Sequence, residues 1–279
     1  DIDKNTVDFI DNYDVTMKEP MLLPTRFPII LFNPNQGIAV GMASNLCSFN
    51  LKEVCETTIA YLKNSNCDIA KTLLSPDFST GGELIYNEKE IREIYETGRG
   101  SIKVRAKYTF DKKNNCIDIT QIPYTTTVEA IIDKIIELIK QGKVREINDV
   151  RDETDLNGLK ITIDLKRGTD AEKLMTRLFK LTPLMDSFGC NFNILVGNAP
   201  KVMGISQVLG EWTKFRMNCI RRQLSFDIQK KSDRLHLLLG LEKILLDIDK
   251  AIRIIRETEK ENEVRSEERR VGKECRSRW

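Results

Sequence analysis

The segment best suited to act on a large ligand is a short apolar triplet framed by two glycines, Gly37-Ile38-Ala39-Val40-Gly41. Because glycine has no side chain, it lets a backbone come close to a bulky partner. An aliphatic tip such as Ile38 can then enter between two stacked base pairs, which unstacks them and kinks a duplex. One interpretation of the pattern is therefore a mechanical action on a duplex, with Ile38 as the wedge.

The residues around this triplet predict an irregular segment that is neither an ordinary helix nor an ordinary strand. Pro24 and Pro28 disfavour a helix before it, and residues 33–37, Asn-Pro-Asn-Gln-Gly, favour turns. The alternative is a buried turn with Ile38 in the hydrophobic core, and the pattern alone favours this because apolar side chains are usually buried. The exposure of Ile38 distinguishes the two interpretations.

Residue types that support catalysis or metal binding are sparse. Asp152, Glu153 and Asp155 form an acidic cluster, but one short segment supplies few oxygens for a hard cation, so we expect these carboxylates to cap their own loop. His236 is the only histidine, which argues against a catalytic set built on histidine. The cysteines lack zinc-site spacing and indicate reduced, mostly buried thiols in a cytosolic protein. They are Cys47, Cys55, Cys67, Cys116, Cys190, Cys219 and Cys275.

The formal net charge of +2 does not by itself predict nucleic-acid binding, so local arrangements must carry that argument. Arg99 lies in a Gly-Arg-Gly turn and Arg26 lies just before the apolar triplet, and we expect both to contact phosphate. Lys103, Arg105 and Lys107 alternate with apolar residues and would form a cationic stripe along one strand face. The alternative is an ordinary solvated face of an antiparallel sheet.

The last fifteen residues, 265–279, are interpreted as foreign to the protein. Their opening, Arg-Ser-Glu-Glu-Arg, back-translates to a common sequencing adapter, so they are excluded from the fold prediction. They hold six Lys or Arg and three Glu, which leaves the rest of the chain close to neutral.

Hydrophobic periodicity predicts an α+β fold in which helices and strands alternate irregularly. Helices are predicted at residues 50–64, with Asn50 as N-cap, and at 89–97, 127–141 and 169–181. Strands are predicted at residues 83–86, 101–110, 116–122, 159–166 and 192–196, with a hairpin turn at 111–115. No run of about 18 apolar residues predicts a membrane span.

From about residue 205 the sequence predicts a long, proline-free helix. Leu238, Leu245 and Ile252 are spaced by seven residues, and a second heptad series, Leu241, Ile248 and Ile255, is offset by three. An a/d seam of this kind predicts a coiled-coil arm that pairs with another helix. A single core helix is the alternative, but the stretch is far longer than the usual length of about 8 to 20 residues.

Six blocks, in order along the chain, resemble the A subunit of the bacterial type IIA DNA topoisomerases, DNA gyrase and topoisomerase IV. They are residues 19–45, 76–82, 95–100, 122–124, 151–155 and 187–191. The resemblance implies the trailing part of a winged-helix domain at 1–30, a mixed α/β tower domain at 31–202 and the start of a coiled-coil arm at 203–264. The chain departs from the family pattern at 47–50 and at 125–128, so no DNA contact is carried onto residues 125–128.

The resemblance also implies a part in DNA breakage and reunion during double-strand passage. In that family the isoleucine of the Gly-Ile-Ala-Val-Gly motif intercalates into the DNA segment to be cut, and Ile38 is the matching residue. The DNA-binding residues expected on this basis are Ile38, Arg26, Gly37, Gly41, Asn45, Arg99, Lys103 and Arg105.

The family's catalytic tyrosine follows an arginine, which none of the six tyrosines here does. We therefore expect that tyrosine upstream of Asp1 in a longer protein, and we expect this chain to be inactive alone. The implied partners are double-stranded DNA, a B subunit carrying Mg²⁺ and ATP, and a second A subunit, in a cytoplasmic A2B2 enzyme. Gyrase and topoisomerase IV are not distinguished, and a non-catalytic DNA-binding or dimerising module is the alternative.

Overall fold

A computed structural model describes residues 1–197, 199–246 and 248–257. These residues form an α+β structure, as predicted. The chain forms two compact units. The larger unit is residues 25–213, and the smaller unit combines residues 1–24 with the chain from Lys214 onward. The interpreted adapter tail, 265–279, lies outside the described residues.

Along the described chain the strands are β1 (Phe9–Asp11), β2 (Lys18–Pro20), β3 (Asn35–Ala39), β4 (Met42–Leu46), β5 (Glu83–Leu84), β6 (Arg99–Arg105), β7 (Lys107–Asp111), β8 (Cys116–Gln121), β9 (Ile147–Asp152), β10 (Ile161–Leu165), β11 (Met185–Asn191), β12 (Asn193–Val196) and β13 (Ala199–Val202). The helices are α1 (Ile29–Phe32), α2 (Leu51–Lys63), α3 (Glu88–Thr97), α4 (Val128–Lys140), α5 (Ala171–Leu181), α6 (Ile205–Leu246) and α7 (Ile248–Glu257).

The larger unit contains a five-stranded antiparallel sheet, which we call the first sheet, in the order β3-β4-β11-β6-β5. Strands β6 and β11 pair over their full lengths, from Arg99 opposite Asn191 to Arg105 opposite Met185. One face of this sheet packs into a core with α2, α3 and the first turns of α6, and Ile102 and Phe188 belong to that core. The hairpin of β3 and β4 forms one edge of the sheet.

The second sheet of this unit has the order β7-β8-β10-β9 and is covered by α4 and α5. Alternating isoleucines on β8 and β10 are fully buried against apolar residues of both helices, as period-two patterning predicts. The helices begin where the side chains of Thr127 and Asp170 accept N-cap hydrogen bonds from Ala130 and Lys173. The packing of two helices on one sheet face supplies the core.

The single strand predicted at 101–110 is wrong, because the chain passes from the first sheet to the second within it. Strand β6 pairs with β5 and β11, whereas β7 pairs with β8. Between them Ala106 is fully buried, and its backbone N–H donates to the carbonyl of Leu184 at 2.7 Å. The period of two continues across Ala106, so the pattern does not reveal the change of partner. The predicted stripe is divided, with Lys103 and Arg105 in the first sheet and Lys107 in the second.

Most predicted elements are present, with ends that differ by a few residues. Asn50 is the N-cap of α2 as predicted, and Gly98 ends α3 with a φ of 72°. Seven strands were not predicted, namely β1, β2, β3, β4, β9, β11 and β13. The sequence of β11, Met-Asp-Ser-Phe-Gly-Cys-Asn, contains Asp, Gly and Asn, which are depleted in strands. Its low β-propensity therefore does not predict a strand at the centre of a sheet.

The smaller unit contains the β1–β2 hairpin and the helical chain from Lys214 onward. Arg222 of α6 holds the N-terminal segment: its guanidinium donates to the carbonyls of Asn5 and Val7 and to the carboxylate of Asp8, at 2.7, 3.1 and 2.8 Å. Lys4 forms an ion pair with Asp227 at 3.1 Å.

The residues of the predicted heptad seam lie on α6 and α7, and all six side chains are exposed, from 41% for Ile252 to 67% for Leu245. The prediction of a long helix is confirmed, and the pairing helix stays a prediction. His236 is an exposed residue of α6, as its pattern predicted. Within the described ranges, no helix has the length and apolar character needed to cross a membrane.

Candidate nucleic-acid interface

The segment that carries Ile38 is a regular β-hairpin, so the prediction of an irregular segment is wrong. Strands β3 and β4 pair from Asn35 opposite Leu46 to Ala39 opposite Met42, which leaves Val40 and Gly41 as a two-residue turn. Gly41 has a φ of +76°, a value that residues with side chains rarely adopt, so glycine favours this tight turn. The turn predicted at residues 33–37 is also misplaced, because residues 35–37 belong to β3 and the hairpin turns at residues 40–41.

Ile38 lies on this hairpin with 89% of its surface exposed, and Val40 at the turn is fully exposed. The alternative of a buried turn with Ile38 in the core is therefore wrong. Of the hairpin residues, Leu46 alone is buried in the core, at the end of β4 furthest from the turn. An exposed aliphatic pair at the end of a β-hairpin is suited to enter a partner.

The alternation of strand residues places Ile38 on one face of the first sheet together with most of the predicted contact residues. Leu46, Cys190 and Ile102 point into the core, so their neighbours in sequence point outward. We call this outward surface the polar face. It contains Gln36, Ile38, Ala43, Asn45, Ser187, Gly189, Asn191, Arg99, Ser101, Lys103 and Arg105.

A row of polar side chains crosses the polar face at the base of the hairpin. Gln36 pairs with Asn45, Asn45 with Asn191, and Asn191 with Arg99. Ile38 lies two residues further along β3 on the same face, opposite Ala43. The sheet therefore presents an aliphatic tip near polar side chains and a cation, which suits contact with a duplex and its phosphates.

The three cations of the polar face differ in their surroundings. The side chains of Arg99 and Lys103 are exposed and form no ion pair within the described ranges. Arg105 pairs with Glu83 on the adjacent strand at 2.8 Å, and its guanidinium carbon lies 5.9 Å from the centre of the Phe179 ring. Glu90 and Glu93 of α3 line a shallow depression beside Lys103, so negative charge lies at that edge. Arg99 and Lys103 are the cations best placed to contact phosphate.

Three predicted contact residues have other positions or other bonds. Arg26 is exposed but lies outside the sheet, on the segment that leads into α1. Gly37 faces away from the polar face, with no atom within 4 Å of where a side chain would begin. Asn45 lies on the polar face, but its amide nitrogen already donates to the carbonyl of Gly189 at 2.5 Å.

Directly beneath the polar face, Cys47 and Cys190 bring two buried thiols within 3.9 Å. Burial, followed by the neighbouring Cys190, raises the pKa of the Cys47 thiol well above its usual range. Burial also raises the pKa of Tyr95, whose hydroxyl lacks a hydrogen-bond partner in the described chain. Cys47 and Tyr95 are therefore neutral, and they contribute packing rather than charge beneath the polar face.

The acidic cluster forms bonds within its own loop, as predicted. Asp152 accepts from the backbone of Thr154 and Asp155 from that of Asn157, at 3.0 and 2.8 Å, while Glu153 pairs with Lys160 at 2.8 Å. Hydrogen bonds lower the pKa of all three carboxyl groups: those from the Thr154 side chain and backbone act on Asp152, that from Lys160 on Glu153 and that from the Asn157 backbone on Asp155. The residues therefore do not fit a Mg²⁺ site, and the described part of the chain holds no group of three or more candidate ligands.

The sequence did not identify the residues that attach the hairpin to the rest of the sheet. Asn191 donates to the carbonyl of Ala43 at 2.8 Å, and Ser44 donates to the carbonyl of Asn193 at 2.9 Å. The only sequence feature that could have indicated these residues is the pair of asparagines in Asn191-Phe192-Asn193. No DNA-contacting residue was predicted in that segment. Nothing in the pattern places that segment beside residue 43.

Comparison with known proteins gives consistent matches. The family model for the A subunit of DNA gyrase and topoisomerase IV matches residues 1–271. The chain is 39% identical over 262 residues to the DNA gyrase A subunit of Borreliella burgdorferi, covering 92% of this chain and 32% of that protein. Identity to the DNA gyrase A subunit of Clostridium acetobutylicum is 42% over 262 residues, covering 92% and 31%. For that of Staphylococcus aureus it is 40% over 266 residues, covering 93% and 30%. The chain therefore spans about a third of the length of these relatives.

Proposed function

Because the chain belongs to the family of DNA gyrase and topoisomerase IV A subunits, we propose that it is the part of a DNA breakage-reunion subunit that holds and bends the duplex to be cut. In this proposal residues 31–202 form the tower domain, residues 1–30 the end of a winged-helix domain and residues 203–264 the start of a coiled-coil arm. The compact unit of residues 25–213 contains the whole of the proposed tower.

The observation that carries this proposal is the position of Ile38. An aliphatic residue that is 89% exposed contributes little to folding, yet it lies on a β-hairpin beside a polar and cationic surface. Insertion of such a residue between base pairs costs about a few kcal/mol per unstacked step, which is offset when the bent duplex contacts more protein. Ile38 is the wedge, and the polar face binds the DNA on one side of it.

The remaining contacts supply affinity without reading sequence. Arg99 and Lys103 contact phosphates, since cations on a rigid sheet displace counterions whatever the base sequence. Ser101, Ser187 and Gly189 are small, so the backbone of the sheet can approach the duplex closely between these cations. A protein that acts on DNA of any sequence needs this kind of surface.

The cleavage chemistry belongs to other parts of the enzyme. We assign the nucleophilic tyrosine to a segment outside this chain, and Mg²⁺ and ATP to a partner B subunit in a cytoplasmic A2B2 assembly. The acidic loop at 152–155 takes no part in metal binding. The heptad seam of α6 and α7 pairs with a further helix of the arm. Both gyrase and topoisomerase IV are compatible with this assignment.

The test is Ile38→Ala in the full-length protein assembled with its partner subunit. Bending of a duplex labelled with a donor and an acceptor at its ends is measured by energy transfer, alongside affinity and thermal stability. We expect bending to be lost, affinity to fall less than tenfold and the melting temperature to stay unchanged. Leu156→Ala is the matched control, because Leu156 is a fully exposed aliphatic residue in the β9–β10 connection. Normal bending by the Ile38→Ala protein would overturn the proposal.

A further inference from the structure

The hairpin that carries Ile38 is attached to the first sheet by very little backbone pairing. Strands β4 and β11 share one paired position, Asn45 opposite Asn191, whereas β11 and β6 share seven. A hairpin with two strands and one shared position would be mobile relative to the sheet unless other bonds held it. Those bonds come from side chains.

Four side chains, which we call the hairpin latch, connect the hairpin to the chain around β11. Three of the bonds reach backbone carbonyls within 2.9 Å: Asn45 to Gly189, Asn191 to Ala43 and Ser44 to Asn193. The fourth, from Asn193 to Ala43, is longer at 3.4 Å. The latch residues are Ser44, Asn45, Asn191 and Asn193.

The latch acts on the residue directly opposite the wedge. Ala43 pairs with Ile38 across the hairpin, and the carbonyl of Ala43 accepts from both Asn191 and Asn193. Fixing this carbonyl fixes the strand position next to Ile38. The latch therefore determines how far Ile38 projects from the sheet and in which direction.

The asparagine amides of the latch are not arranged for maximum stability. The side-chain oxygens of Asn45 and Asn191 are buried and have no hydrogen-bond partner in the described chain. Rotating either amide by half a turn would place that oxygen against a carbonyl oxygen, so the orientation is fixed by the acceptors. Each amide combines one satisfied donor with one buried acceptor that has no partner. The free-energy cost of burying that acceptor offsets much of the stability gained from the donor's hydrogen bond. The bonds hold a geometry at little net gain in stability.

We propose that the hairpin latch positions Ile38 for insertion into DNA, with Asn191 as its principal residue. Its members act through the hairpin and are positioning residues. This inference rests on the proposed function, because it assigns them to the bending step of that function. It predicts that loss of the latch changes the bend in the DNA without an equal change in affinity.

The test is Asn191→Ala in the full-length protein assembled with its partner subunit, with the same energy-transfer measurement. We expect DNA bending to fall to less than half and affinity to change less than threefold. The melting temperature should change by less than about 3 °C, because the substitution removes one hydrogen bond together with one buried acceptor that has no partner. Amide hydrogen exchange across residues 35–46 should accelerate by less than tenfold, because the latch adds little net stability. Asn193→Ala, which removes only the 3.4 Å bond, should give a smaller change in the same direction.

Thr109→Ala is the control, because Thr109 is an exposed residue of β7 in the second sheet, outside the polar face, and its hydroxyl forms no hydrogen bond in the described chain. If Ile38→Ala reduces bending and Asn191→Ala does not, the latch proposal is overturned while the proposed function stands. If Asn191→Ala lowers bending, affinity and melting temperature together, the residue serves folding in general and the latch proposal is also overturned. If Ile38→Ala itself leaves bending intact, the proposed function fails first.

Discussion

The sulfur atoms of Cys47 and Cys190 lie 3.9 Å apart beneath the polar face, with the Cys190 thiol donating to Cys47, and both side chains are buried. Because burial raises the pKa of Cys47, the folded protein keeps this proton at a pH where the unfolded chain loses it. The stability that Cys47 contributes is therefore present below about pH 8.5, the ordinary pKa of a thiol. It is lost as the pH rises through the raised pKa that Cys47 has in the folded protein.

We therefore expect the free energy of unfolding, measured by urea titration with reductant, to fall between pH 8.5 and 9.5. Cys47 contributes at most about 1.4 kcal/mol per pH unit to this slope, and Cys47→Ala should remove that contribution. Tyr95, whose pKa burial also raises, begins to contribute only above about pH 10. Val54→Ala alters the same core without removing a titrating group and should keep the wild-type slope. An unchanged slope in Cys47→Ala would contradict the argument.

The two glycines of the hairpin should respond differently to substitution by alanine. Gly41 has a φ of +76°, so Gly41→Ala strains the turn and should destabilise the hairpin by about 1 kcal/mol. Gly37 has space for a side chain and no such φ, so Gly37→Ala should be neutral. Hydrogen exchange of the hairpin amides checks this, because the hairpin can open without global unfolding. Equal exchange in the two variants would refute the difference.

Lys103 and Lys107 differ by the sheet they occupy, which makes them a matched pair for DNA binding. Lys103→Ala should weaken binding and lower the slope of log affinity against log salt by about 0.9, the value for one phosphate contact. Lys107→Ala should leave the slope unchanged, because Lys107 belongs to the second sheet. Affinity measured over a series of salt concentrations tests both. Similar slopes for the two variants would exclude Lys103 as a phosphate contact.

Glu83 should limit the contribution of Arg105 to binding. The two side chains are half-exposed and pair at 2.8 Å, so the carboxylate offsets this positive charge on the polar face. Glu83→Gln should increase affinity for DNA and raise the salt slope by about 0.9 as Arg105 becomes available to phosphate. The cost in stability should stay below about 1 kcal/mol, as for other exposed ion pairs. The prediction fails if the gain in DNA affinity persists in the double variant that carries both Glu83→Gln and Arg105→Ala.

Arg222 should control the order of the N-terminal segment. Its guanidinium reaches four acceptors on residues 5–8, and Lys cannot reproduce this forked geometry. Both Arg222→Ala and Arg222→Lys should increase hydrogen exchange of residues 4–21 at least tenfold. Arg221→Ala is the neighbouring control, since Arg221 forms no ion pair in the described chain. Protection retained in Arg222→Lys would show that charge alone is sufficient.

Elements with strong periodicity could be predicted from the sequence, and elements defined by their partners could not. Helices α2 to α5 have apolar stripes and N-caps such as Asn50, which are local signals. The break at Ala106 arises because β6 and β7 pair with different strands, and the local sequence does not indicate which strand each one pairs with. Strand β11 is stabilised by pairing with β6 despite poor propensity.

The same distinction applies to the candidate site. Ile38, Arg99 and Lys103 were predicted from residue type and family motif, and the structure places them on one face. The pairing of Arg105 with Glu83 and the donors of the hairpin latch depend on contacts between residues 22 to 150 positions apart. Such contacts require the fold.

The hairpin contributes a single core side chain, Leu46, so substitutions nearer the turn require no repacking of the interior. Evolution can therefore alter this tip almost independently of the domain that carries it. Exchanging residues 36–43 for those of a distant homologue should therefore yield a folded chimaera whose tip is new while the latch that orients it is retained, which would make this short segment a practical means of engineering DNA curvature.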